Sequence, residues 1–155
     1  AAAYLRGRGA DTVRVKQLFS NSMEDHQLRN AITSNFDTYR GCAIAIADIE
    51  SEDLRIIASQ AADEMLNISG IQSSYVLYRT GDIVNISARS MGAMNVQLIM
   101  EMLGGGGHQT MAAAQLSNIS VSDAKVRLLQ VIDQFYAQIN AQEEAPQERP
   151  EEMQN

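Results

Sequence analysis

Four consecutive glycines and a histidine, Gly104–His108, follow the apolar run Asn95–Leu103 in NVQLIMEMLGGGGHQTMAAAQL, and they restrict the fold more than any other part of the chain. One glycine is enough to end a helix. Each further glycine in an ordered segment costs about 0.5–1 kcal/mol relative to alanine, so four together cost about 2–4 kcal/mol, against a typical net stability of about 5–15 kcal/mol. A fold that keeps them needs bare backbone at this point. Glycine reaches angles closed to other residues and admits a ligand close to the main chain. We therefore read Gly104, Gly105, Gly106 and Gly107 as a cradle whose N–H groups converge on a phosphate. If His108 or the residues after it start a helical turn, unpaired amides there add positive potential at the same spot. The plainer reading is a flexible loop in which Gly104 caps the preceding helix.

The rest of the chain supplies a setting for that loop. Asp11 and Thr12 read as caps before a short helix, and Met23 to about Asn35 as a second helix closing near DTYRG, so residues 1–40 form a helical connector. CAIAIADI, opening at Cys42, suits a buried strand. Leu54, Ile57, Ala61 and Met65 recur at helical spacing. SSYVLYR and DIVNISAR flank a TGD turn and predict a β-hairpin. A helix over 95–103 and a short strand in AAAQLSNIS follow. Ser120 and Asp123 cap a final helix with Ala124, Leu128, Ile132, Phe135 and Ile139 on one face. The order strand, helix, hairpin, helix, strand, helix predicts an α/β fold, a mixed β-sheet with helices packed on it, over residues 41–140.

Charge narrows the partners. The formal net charge is −7, and QEEAPQERPEEMQN from Gln142 onward contributes −4 of it, five Glu against one Arg, leaving −3 for the remainder. Residues 141–155 read as an acidic, solvated, disordered tail. A mildly acidic body argues against long nucleic acid, while a small phosphate ligand held by a few groups remains compatible. No apolar run approaches the roughly 18 residues of a membrane span. One cysteine, Cys42, and two histidines offer neither a disulfide nor a zinc site, and Cys42 is best read as a small buried hydrophobe in a reducing compartment. The chain opens AAAYLRGRGAD, without Met and with helix-forming residues at once; we expect a piece of a larger protein.

Two further groups carry candidate chemistry. Alternation in IVNISAR places Ile83, Asn85, Ser87 and Arg89 on one strand face and Val84, Ile86 and Ala88 on the other. Arg89 at the strand end presents a planar, permanently charged fork suited to phosphate, with charge-assisted hydrogen bonds of about 1.5–3 kcal/mol each. His108 can donate to a phosphate or a leaving oxygen but is a poor metal site without partners. His26 reads as structural. Asp63 and Glu64 are assigned no role, and the methionines around the loop read as core filler.

ISARS, NVQLIMEMLGGGGH and the small-residue AAA resemble the DHH-associated domain, the second domain of the DHH-family phosphoesterases. With YLRGRGADTV, IAIAD, SQAADEMLNISGIQSSYVL and GDIVNISARSMGAM, the likeness extends over most of the chain and is similar to the carboxyl-terminal part of the membrane-anchored cyclic-di-AMP phosphodiesterases. The resemblance implies that Gly104–Gly107 and His108 form the substrate site, with Arg89 and Ser87 contacting phosphate. It implies cyclic-di-AMP and linear pApA as ligands and two manganese ions held by a DHH domain of the same protein. It also implies a cytoplasmic position on a membrane-anchored parent, with a homodimer as a further expectation. No Asp-His-His triplet occurs; the nearest string is Asp25-His26-Gln27, and the metal-binding domain would lie before Ala1. No catalytic residue and no metal are therefore expected in this chain. A tRNA- or short-RNA-binding module, a phosphoesterase domain for short oligonucleotides and a dimerisation module stand as alternatives.

Overall fold

The computed structural model describes the backbone of residues 2–144 and the side chains of residues 11–20 and 22–144. The elements, in order, are α1 (Ala2–Thr33), β1 (Phe36–Tyr39), β2 (Cys42–Ala47), α2 (Leu54–Met65), β3 (Ser73–Thr80), β4 (Ile83–Ser90), α3 (Val96–Glu101), β5 (Gly106–Gly107), β6 (Met111–Ser117) and α4 (Val121–Glu144). The strands form one mixed sheet in the order β1-β2-β3-β4-β6-β5. β2 and β3 run parallel, joined through α2, and every other neighbouring pair is antiparallel.

Helices lie on both faces of the sheet. On one face Ile44, Leu77, Ile86 and Ala114 pack against Ile99 and Met100 of α3 and Leu128, Ile132 and Phe135 of α4. On the other, Ala43, Ala45 and Val76 meet Ile57, Ala58, Ala61 and Met65 of α2, with Ile32 of α1 completing that layer. The small alanines of β2 are what let α2 lie close to the strands. Arg29 fastens α1 to α2 by an Nε–Oε1 ion pair with Glu64 at 2.6 Å and a hydrogen bond from Nη1 to Gln60 Oε1 at 2.8 Å. Helix α2 packs over β3 and reaches β4, whose polar row on that face is buried, and leaves the same face of β6 open.

Local chemistry explains most boundaries. Arg40 and Gly41, at φ 50° and 78°, form the two-residue turn between β1 and β2, the pattern of a type I′ hairpin. Gly81, at φ 60°, occupies the first position of the β3–β4 turn. Ser120 Oγ accepts from the Asp123 amide at 3.0 Å and caps α4, and the Asn95 side chain accepts from the Leu98 amide at 3.3 Å and caps α3.

Three sequence expectations change. The two connector helices are one continuous helix, because Gly7, Gly9 and the Asp11-Thr12 pair lower helix propensity without interrupting the hydrogen-bond ladder. DTYRG is strand β1 and its turn rather than a helix end, so the sheet begins at Phe36, inside the expected connector. Helix α4 continues through Glu144, four residues into the expected tail; residues 145–155 lie outside the described residues.

Candidate functional site

Residues of β4 and β6 on the α2 side of the sheet form the floor of an open cleft of about 500 Å³. Asn85, Ser87 and Arg89 project from β4 onto that floor, as their alternation predicts, and Gln115, Ala113 and Met111 of β6 stand beside them in register. Arg55 and Ser59 of α2 line the cleft, and Gly106, Gly107 and His108 close one end. Despite the opening, the β4 row is well covered: Asn85 is 7%, Ser87 5% and Arg89 9% exposed.

Arg89 is held from two sides. Its Nη1 donates to its own neighbour's carbonyl, Ala88 O, at 2.8 Å, and Nε lies 3.1 Å from Asp63 Oδ1 on α2. That Nε–H is buried and is not aligned for a hydrogen bond to the carboxylate. One of the five guanidinium N–H groups thus has an acceptor among the described residues. A buried cation with unused donors at the edge of a cleft is prepared for an anion, because a phosphate would satisfy donors the protein leaves open. Next along the floor, burial pushes the Tyr78 phenol above its ordinary range, with the Ser87 hydroxyl and the Arg55 charge opposing the rise.

At its start the glycine run follows the second of its two sequence readings, a helix cap at Gly104, rather than the cradle. Gly104, at φ 80°, terminates α3: its amide bonds Glu101 O at 3.0 Å and the Gly105 amide bonds Met100 O at 2.8 Å, the two bonds of a Schellman cap. His108 starts no helical turn. It pairs with Met111 in a tight hairpin, with N–O distances of 2.6 and 3.3 Å. The amides of Gly104, Gly105 and His108 are therefore occupied by the protein's own carbonyls, and the four-amide cradle is not formed. Because His108 and Met111 exchange both main-chain bonds, the next pair, Gly107 and Ala112, is a non-bonded one, and the Gly107 N–H points away from β6.

Close packing accounts for two of the glycines. A Cβ on Gly105 would lie 2.1 Å from Ala113 O, and one on Gly107 would lie 2.5 Å from Met111 O and Ala112 Cα. Gly106 is different. It has no positive φ, a Cβ there would meet nothing within 4 Å, and its pairing with Ala113 directs that position to the cleft face.

Of the seven predicted site residues, Ser87, Arg89, Gly106, Gly107 and His108 share the cleft. Gly104 and Gly105 line a separate shallow depression beside Ala113, Ala114 and Gln115. His26 bonds Arg29 and Asn30 on its own helix, in agreement with a structural role. The sequence reading gave Asp63 no role and did not single out Arg55 or Ser59. Their four-residue spacing marks a polar stripe beside the apolar face of α2, and that stripe was the available signal.

An α/β/α sandwich with one half-open sheet face, floored there by a buried arginine and closed by a glycine-histidine hairpin, defines the class of this domain. The chain belongs to the DHHA1 domain family, whose model matches residues 39–138. It is 41% identical over 138 residues to the cyclic-di-AMP phosphodiesterase PdeA of Listeria monocytogenes and 43% identical over 139 residues to the cyclic-di-AMP phosphodiesterase GdpP of Geobacillus thermodenitrificans, each alignment covering 88% of this chain and 21% of the relative. The chain thus spans about a fifth of the length of these curated relatives. Among solved structures, an exopolyphosphatase-related protein from Bacteroides fragilis shares the fold with a TM-score of 0.62 at 18% identity, over 75% of this chain and 36% of that one.

Proposed function

We propose that this chain is the substrate-holding domain of a phosphodiesterase that opens cyclic-di-AMP to linear pApA. The observation that carries the reading is the buried, under-bonded Arg89 in one cleft with Ser87, Gly106, Gly107 and His108. The names of the relatives supply the substrate class. In this account Arg89 takes a phosphodiester oxygen, Ser87 orients it, and His108 donates from the hairpin. These groups neutralise and position the linkage, and none of them generates a nucleophile.

Among the described residues no three His, Cys, Asp or Glu side chains come together as a metal site. These residues do not fit the two manganese ions that the family resemblance implies. Water activation belongs, in this proposal, to a DHH domain of the same protein. Among the described residues no helix is long and apolar enough to cross a membrane; a membrane anchor elsewhere in the parent, with this domain in the cytoplasm, is part of the same proposal.

The test is calorimetric titration of cyclic-di-AMP and pApA into the chain, repeated with Arg89→Ala and His108→Ala. Binding that falls about tenfold or more with Arg89→Ala supports the reading; equal binding by both variants and the wild type contradicts it. In parallel, the chain supplied with manganese should leave cyclic-di-AMP intact under conditions in which a longer protein carrying the DHH domain opens it.

A further inference from the structure

The cleft extends well beyond Arg89, and its two long sides are in step. Arg55, Ser59 and Asp63 stand four residues apart on α2, a rise of about 6 Å per position. Asn85, Ser87 and Arg89 stand two apart on β4, about 6.8 Å per position. Asp63 meets Arg89 at one end. At the other, Arg55 lies beside Tyr78, which pairs with Asn85 across the sheet. A second guanidinium therefore stands at the far end, about 12 Å along α2 from the Asp63 level.

That end is also a constructed polar surface. Asn85 is 93% buried, and its Nδ2 donates to Thr80 Oγ1 at 2.7 Å and to Tyr78 O at 3.5 Å, which fixes the amide and leaves Oδ1 as an acceptor without a donor among the described residues. Arg55 is exposed on the cleft wall, and no acceptor holds its guanidinium among the described residues. A permanent cation and a fixed acceptor side by side suit a nucleotide: phosphate on the cation, and an exocyclic amine or sugar hydroxyl on the acceptor.

Building on the reading of the cleft as a nucleotide site, we infer that Arg55 and Asn85 form a second nucleotide subsite, so that the domain selects ligands with two phosphate groups over mononucleotides. Arg89 anchors the first phosphate and Arg55 the second, with the ligand lying along β4.

The experiment is calorimetric titration of AMP and of pApA into the wild-type chain, Arg55→Gln and Arg89→Gln. Arg55 is exposed, so its replacement preserves the fold, which circular dichroism verifies. The expected result is that wild type prefers pApA, that Arg55→Gln lowers pApA affinity about tenfold and changes AMP affinity less than twofold, and that Arg89→Gln lowers both. Unchanged pApA binding in Arg55→Gln, an equal loss for AMP and pApA, or a wild type that binds the two alike overturns the second subsite while leaving the first intact. A wild type that binds neither nucleotide overturns the reading of the cleft itself, and the second subsite with it.

Discussion

Asp63 Oδ1 on α2 lies 3.1 Å from Arg89 Nε on β4, and the two partners are unequally covered: 61% of the Asp63 side chain is exposed against 11% of that of Arg89. The arginine is held by burial and by Ala88 O as well as by the carboxylate. Under the proposed function, Asp63 acts chiefly as a negative charge that competes with a bound anion for Arg89. We predict that Asp63→Asn binds a cyclic dinucleotide several-fold more tightly than wild type at low salt. The advantage should shrink toward zero at about 1 M salt, where the screening length is about 3 Å. Titrations at two ionic strengths check it, and weaker binding at low salt would show that Asp63 positions Arg89 instead.

Gly105 and Gly106 are adjacent but should respond differently to alanine. A methyl at Gly105 meets Ala113 O at 2.1 Å, so Gly105→Ala forces the hairpin off β6 and should lower stability by about 1–3 kcal/mol. A methyl at Gly106 meets no protein atom within 4 Å and occupies the cleft. Gly106→Ala should keep its unfolding free energy within about 1 kcal/mol of wild type and still weaken dinucleotide binding. Urea unfolding and titration calorimetry on the two variants separate these effects.

How much of this could be read from the sequence depends on whether the deciding interaction is local. The β4 row was visible because strand alternation is a two-residue property, and both the α2 and α4 faces follow from helical spacing. The capping role of Gly104 was visible as one of two readings of the loop. The occupancy of the His108 amide was not, because it depends on β6 returning against β5, which no spacing in GGGGH specifies. Strand β1 escaped because FDTY is short, and its two central residues are exposed. Asp63 and Arg89 are 26 residues apart in sequence, and only the placement of α2 over β3 brings them together.

Near the far edge of the sheet, Asp133 of α4 accepts from the Tyr39 hydroxyl at 2.8 and 2.9 Å and from Arg40 Nη1 at 2.9 Å. These partners, Tyr39 first and Arg40 second, hold its carboxyl below the ordinary carboxylate range. A lowered folded value means that the contribution is complete above the unfolded value and is lost as pH falls through the folded one. Thermal melts from about pH 6 to about pH 2 should therefore show a gentler acid decline in Asp133→Asn than in wild type. Parallel curves would contradict the linkage.

Cys42 is fully buried, and burial pushes its thiol above the ordinary range, outweighing the opposing Ser73 contact. The thiolate is the reactive form, so native protein should resist thiol–disulfide exchange near neutral pH, and unfolded protein should react with one equivalent. A disulfide reagent followed by absorbance, with and without denaturant, gives the answer.

The central claim is that phosphate is held by the side chains on β4, and that the amides capping α3 take no part. Nitrogen-15 NMR during titration with pApA tests this most directly. The account predicts that the Arg89 Nε–Hε resonance moves in step with saturation while Gly104 and Gly105 stay nearly still. Large shifts at Gly104 and Gly105 with an unmoved Arg89 would contradict it.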